Sequence, residues 1–162
     1  LQEIKNLERC PLVIDDGDES NVREALIIEV NDTYFYVTEF LNVLYNFAIS
    51  DEIKYDIYEH YQMKLHLDVL IENGNSTERE YALKLLWQLS FDQRVAKAVA
   101  NNDDIIDTLN EFKNLDESPE NDKLIKNSTG ILWLLDKFNS ENVKLYFYLK
   151  DSVKPELIVS LF

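Results

Sequence analysis

The chain has little glycine, proline or cysteine. Its 162 residues include 3 Gly, 3 Pro and 1 Cys, whereas average usage would give roughly 19 Gly and Pro together. Because the tight turns of many-stranded β folds depend on Gly and Pro, their scarcity favours helices. The single cysteine, Cys10, cannot form a disulfide within the chain. This fits a reducing compartment, so we expect a cytoplasmic location.

Basic residues are also scarce. The chain carries 16 Lys and Arg against 31 Asp and Glu, a formal net charge of −15. Such a surface repels phosphate backbones and anionic membrane leaflets, so we expect neither nucleic acid nor membrane as a partner. A basic or neutral protein or peptide segment is expected instead. Hydrophobic residues, at 46%, suffice for a core and exclude an acidic disordered chain.

The sequence contains an internal repeat. Residues 44–58 (LYNFAISDEIKYDIY) align without a gap with residues 86–100 (LWQLSFDQRVAKAVA) at an offset of 42. A partial third copy at 131–138 (ILWLLDKF) aligns with the second at an offset of 46. The aromatic residues Tyr45, Trp87 and Trp133 therefore recur, and we interpret them as packing between units. A period of about 40–47 residues is typical of helical repeats with two or three helices per unit.

Signals for the ends of helices divide one unit into three helices. Gly74 follows an apolar run and is expected to end a helix in the left-handed conformation. Thr77 and Glu80 have the spacing of a capping box, which predicts a helix start. Further starts are predicted at Asp92, at Asp103 or Asp104, and at Ser118 with Pro119.

These signals predict a chain built mainly of helices. Long helices are predicted at 33–49, 77–91 and 120–138, and shorter ones at 51–60, 62–73, 93–101 and 104–114. Residues 1–11 are predicted to end an earlier repeat, and residues 15–19 to form an acidic loop. Residues 25–36 fit either a helix or a hairpin turning at Asn31 and Asp32, and we predict a helix.

The predicted helices define one domain over residues 1–162. It consists of units at about 33–73, 77–114 and 119–138, preceded by a partial repeat and acidic loop at 1–32. Residues 139–162 are expected to cap the array or to lead into a following domain.

Residues 80–112 resemble an armadillo repeat. Its long third helix has the form A-L-x-x-L-x-N/Q-L, and five residues occupy those places: Ala82, Leu83, Leu86, Gln88 and Leu89. The resemblance implies an all-α fold, an armadillo-like right-handed superhelix of about three three-helix units with a period of 42–46 residues. The segments YNFAISDEIKYDIY, EYALKLLWQLSFD and IKNSTGILWLLDK are similar to armadillo-like regions that precede Toll/interleukin-receptor (TIR) domains in multidomain signalling proteins.

The armadillo resemblance also implies a binding surface. In armadillo proteins the third helices line a concave groove whose Asn ladder holds an extended peptide. The equivalent residues, which we predict to bind the partner, are Asn42, Asn46, Lys84 and Gln88. The ladder would continue onto Gly130 and Leu134, and Leu134 cannot form a side-chain hydrogen bond.

We therefore predict a non-catalytic protein-interaction or scaffold module, part of a larger signalling protein. One alternative is an autoregulatory domain of a TIR-containing protein that hydrolyses NAD or transduces a signal, with a C-terminal TIR domain as partner. If it senses a nucleotide, its nearest basic cluster in sequence is Lys84, Arg79 and Arg94. A second alternative is a structural spacer.

Other candidate sites do not fit known chemistry. His60 and His66 are six residues apart, which places them about 240° apart on a helix and not on one metal-binding face. Cys10 has no identifiable base, and residues 15–19 lack the spacing of an EF-hand loop. The sequence has no Gly-rich phosphate loop, Gly-x-Ser-x-Gly elbow or Cys-x-x-Cys. We therefore predict no enzymatic activity, no metal site and no cofactor.

Overall fold

A computed structural model describes the backbone of residues 5–13, 22–30, 33–59 and 63–152. It also describes the side chains of residues 26–27, 34–59 and 63–140. Helices make up most of this part of the chain, in agreement with the prediction. A small sheet precedes them.

The sheet is an antiparallel meander in the order β1, β2, β3. Its strands are Lys5–Val13, Val22–Val30 and Thr33–Tyr36, and Val30 pairs with Thr33 across the β2–β3 hairpin. The predicted helix at 25–36 is therefore wrong, and the hairpin alternative is correct. The predicted end of a helical repeat at 1–11 is also wrong over residues 5–11, which belong to β1. The physical reason is the run of β-branched and aromatic residues in β2 and β3, which pack well on a pleated surface. The acidic loop at 15–19 lies outside the described residues.

Seven α-helices follow the sheet in the described residues. They are α1 (Val37–Phe47), α2 (Lys54–Glu59), α3 (Met63–Asn73), α4 (Ser76–Leu89), α5 (Gln93–Ala100), α6 (Asp103–Lys113) and α7 (Asp122–Ser152), with a 3-10 turn at Asp51–Ile53 before α2. The seven helices predicted from residue 33 onward are confirmed in number and order, but the first begins at Val37 because residues 33–36 form β3. The last one continues well beyond the predicted end at 138, because no Gly or Pro interrupts residues 139–152.

The capping box of α4 lies two residues earlier than predicted. Asn75 accepts a hydrogen bond from the Glu78 amide at 3.0 Å, and the Asn75 amide donates to the Glu78 carboxylate at 2.8 Å. Gly74 ends α3 as predicted, but its φ lies outside the left-handed region. A Cβ on Gly74 would lie 3.0 Å from the Glu78 Cβ, so glycine permits the close approach of α4.

The caps of the next helices were predicted in part. Asp92 caps α5, since its carboxylate accepts a hydrogen bond from the Arg94 amide at 2.8 Å. The cap of α6 is Asn102, not Asp103 or Asp104, and it accepts from the Ile105 amide at 3.4 Å. Ser118 accepts from the Asn121 amide at 3.2 Å, in the turn before α7.

The helices pack around α4. It lies against α1 on one side and α7 on the other, while α2 packs on α5 and α3 on α6. Helices at equivalent places in the two predicted units therefore contact each other directly. The α4 residues Leu83, Leu85 and Leu89 are completely buried. Searched over the described ranges, the structure has no helix that combines the length and the apolar character needed to cross a bilayer.

Candidate binding groove across α4

An open groove of about 400 Å³ crosses α4 between α1 and α7; we call it the α4 groove. Its lining comprises Tyr45 from α1, Glu80, Lys84, Trp87 and Gln88 from α4, Phe91 just after α4, and Lys123, Lys126 and Asn127 from α7. The α4 positions are spaced by four, three and one residues, so they share one helix face.

Trp87 packs against the backbone of α7 at Gly130. A Cβ on Gly130 would lie 2.5 Å from Cε2 and 2.8 Å from Cη2 of the Trp87 indole. The ring can therefore lie against α7 only because position 130 has no side chain. Trp87 thus packs between long helices, as predicted for the recurring aromatic residues. Its equivalent Trp133 is 62% exposed, so that interpretation is wrong for Trp133.

Lys84 lies over the aromatic wall of the groove. Its ammonium nitrogen is 4.2 Å from the centre of the Tyr45 ring and 5.9 Å from that of Tyr81. The negative faces of both rings attract the cation, which orients the half-buried side chain. The groove therefore holds a positioned positive charge on its α1 side.

Two further lysines come from α7. The Lys123 ammonium lies 2.9 Å from both carboxylate oxygens of Glu80, and this hydrogen bond raises the pKa of Lys123. Lys126 is exposed and makes no ion pair with any residue that the structure describes. With three lysines and one glutamate, the lining carries a net charge of +2 in a chain of −15.

Gln88 supports the fold next to the groove. Its side-chain nitrogen donates to the backbone oxygen of Ala48 at 3.1 Å. Ala48 follows α1 and is completely buried, so this bond satisfies a carbonyl that water cannot reach. Gln88 therefore fixes the end of α1 against α4.

The structure brings together part of the predicted peptide-binding set. Lys84 and Gln88 line the α4 groove, whereas Asn42 and Asn46 lie on α1 outside its lining. Leu134 is buried, at 3% exposure, and does not line it either.

The residues that the prediction missed are mainly those from α7. At the offset of 46, Lys126 is the equivalent of Glu80, one turn before the predicted pair Lys84 and Gly130. Extending the ladder by that turn would have found Lys126, and Lys123 lies one turn further back.

The basic cluster considered for a nucleotide is not assembled. Arg79 donates to the backbone oxygens of Ile71 at 3.1 Å and Glu72 at 2.7 Å, and so caps the end of α3. Arg94 pairs with Asp92 at 2.7 Å, and this hydrogen bond lowers the pKa of Asp92. Neither arginine lines the α4 groove with Lys84.

His60 lies outside the described residues. His66 is half-buried on α3, and burial lowers its pKa. Comparison of the chain with protein-family models, curated proteins and solved structures finds no match.

Proposed function

We propose that this chain is a non-catalytic protein-interaction module with an armadillo-like architecture, and that the α4 groove binds an extended segment of a partner protein. The observation that carries the proposal is the combination of side chains in one open groove: three aromatic rings beside three lysines. Trp and Tyr dominate the binding energy of many interfaces because they bury a large area at little entropic cost.

The chemistry of the lining favours contact over catalysis. Its polar groups are ammonium and amide groups, one phenol, one indole N–H, and a carboxylate that is already paired with Lys123. A catalytic site would instead place a nucleophile or general base beside a group that activates it. The packing of α1, α4 and α7 side by side supports the armadillo-like part of the proposal. The proposal that the chain is part of a larger signalling protein rests on the resemblance of its segments to regions preceding TIR domains alone.

Selection from a peptide library without charge bias tests the proposed function. Phe91 is 51% exposed and lines the groove, while Phe47 is 59% exposed and does not. The two phenylalanines are therefore matched in exposure and chemistry. Replacing Phe91 by Ala should weaken binding of the selected peptides about tenfold, since a partly buried aromatic contact contributes about 1.4 kcal/mol.

The control variant Phe47→Ala should leave the affinity unchanged. Equal affinity of the selected peptides for wild type and Phe91→Ala would refute the assignment of the groove. A library that yields no binding peptide would count against the interaction module itself.

A further inference from the structure

We propose that the segment bound in the α4 groove is acidic, with Asp or Glu side chains placed to reach Lys84 and Lys126 and an apolar side chain between them. This inference rests on the proposed function and names the chemistry of the partner. It differs from the expectation that the whole-chain charge suggests, namely a basic or neutral segment.

The local charge of the groove opposes that of the chain. The chain carries −15, whereas the groove lining carries three lysines and one glutamate. At physiological ionic strength, charges further apart than about 8 Å are largely screened from each other in solvent. A segment inside the groove therefore responds most strongly to the charged groups that line it, and charges further away affect it less.

Two of the lysines are open to a carboxylate. Lys84 is held over Tyr45 and Tyr81 by its attraction to their rings, and an ammonium group in that position keeps donors for an anion. Lys126 is exposed, with no ion-pair partner among the described side chains. An acidic segment would supply the negative charge that these two positions lack.

Glu80 does not prevent binding of an acidic segment. Its carboxylate is 2.9 Å from the Lys123 ammonium, so the pair is close to neutral seen from the groove. Repulsion between Glu80 and an incoming carboxylate is correspondingly reduced.

The apolar side chain is required by the aromatic part of the lining. Trp87 and Phe91 line the same groove as the lysines, and Phe91 is 51% exposed. Covering these rings removes apolar surface from water. Lys84 lies on the α1 side of α4 and Lys126 on the α7 side. They therefore favour carboxylates on both sides of the apolar side chain of the bound segment.

Three matched peptides test whether the groove prefers a segment of negative, neutral or positive charge. Each has about ten residues, an extended length of about 33 Å, and shares one central Phe and one Leu. The polar positions are all Glu, all Gln or all Lys. Affinity for the wild-type chain is measured by fluorescence anisotropy of a dye on the peptide.

The Glu peptide should bind about fivefold more tightly than the Gln peptide and much more tightly than the Lys peptide. Its affinity should fall as salt rises from about 50 to about 200 mM. Tightest binding by the Lys peptide would overturn this inference while leaving the proposed function standing. Binding by none of the three would overturn both.

Charge reversal locates the contact. Lys126→Glu should weaken the Glu peptide about tenfold, because an attraction becomes a repulsion. Lys64 is also exposed, near the start of α3 and outside the groove lining, and Lys64→Glu changes the net charge by the same amount. Lys64→Glu should alter the affinity by less than about twofold. Equal weakening by both variants would overturn the assignment to the groove, and circular dichroism of both verifies that their folds are intact.

Discussion

Gly130 gives the sharpest prediction about how the long helices pack. An exposed Gly inside a helix gains about 1 kcal/mol of stability when replaced by Ala, because Ala has the better helix propensity. At Gly130 the new Cβ would lie 2.5 and 2.8 Å from two atoms of the Trp87 indole. Overpacking of this kind costs about 1–3 kcal/mol, so we expect Gly130→Ala to destabilise the chain by about 1 kcal/mol.

The change in stability caused by Gly130→Ala should reverse its sign when the indole is absent. In a Trp87→Leu background the Cβ no longer meets the ring, and Gly130→Ala should stabilise the chain by up to about 1 kcal/mol. The coupling energy between the two positions then equals the overpacking cost, about 1–3 kcal/mol. Urea unfolding followed by far-ultraviolet circular dichroism measures all four proteins, because the helix signal does not depend on Trp87.

Thr129 serves as the control for helix propensity. It is exposed and adjacent to Gly130, so Thr129→Ala should give a similar small gain in both backgrounds. An equal effect of Gly130→Ala with and without the indole would refute the packing of Trp87 on α7.

Three further predictions concern stability. Burial raises the pKa of Asp68 above its ordinary 3.8, so the folded state binds the Asp68 proton more tightly than the unfolded state does. The protonated carboxyl therefore favours folding at low pH, and this stabilisation is lost as pH rises through the folded-state pKa. Asp68→Asn should therefore be more stable than wild type in urea at pH 7, with the gain disappearing below about pH 4; lower stability at pH 7 would contradict this. Ser128 is completely buried and its hydroxyl has no hydrogen-bond partner among the residues that the structure describes, so Ser128→Ala should raise the free energy of unfolding by about 1 kcal/mol. A loss of stability would show that the hydroxyl is satisfied. Asn75→Ala removes the cap of α4 and should cost about 1 kcal/mol of stability, whereas Thr77→Ala should have little effect. If thermal melts show the larger loss for Thr77→Ala, Thr77 is the cap, as the sequence predicted, and Asn75 is not.

The helices were predictable because local signals agree with their apolar spacing. From α2 to α6 the predicted bounds lie close to the observed ones. The cap of α4 was ambiguous, since Asn75 and Thr77 each have a Glu three residues later, at Glu78 and Glu80. Spacing alone cannot choose between these two capping boxes, whereas the backbone geometry does.

The sheet could not be predicted from periodicity. Residues 25–36 alternate poorly, and their apolar positions fit a helix face as well as a strand. Pairing of Cys10 with Ala25 and of Ile28 with Phe35 decides for strands, and pairing between strands is not visible in the periodicity of one segment.

The groove was predictable in part for a related reason. The repeat alignment placed Lys84 and Gln88 correctly on the face of α4 that meets the neighbouring long helices. The offset changes from 42 to 46 between units, a difference of about one helical turn. The alignment allowed for this change, but the predicted ladder stopped one turn short of Lys126, and the contribution of Lys123 and Lys126 depends on how α7 lies against α4.

The two tryptophans allow the most direct test of the binding groove. Trp87 lines it, while Trp133 is 62% exposed and does not. In a proton–nitrogen NMR titration with the Glu peptide, each indole N–H gives its own signal. Our account predicts that the Trp87 signal moves or broadens as peptide is added while the Trp133 signal stays in place. Movement of the Trp133 signal with an unchanged Trp87 signal would contradict the account.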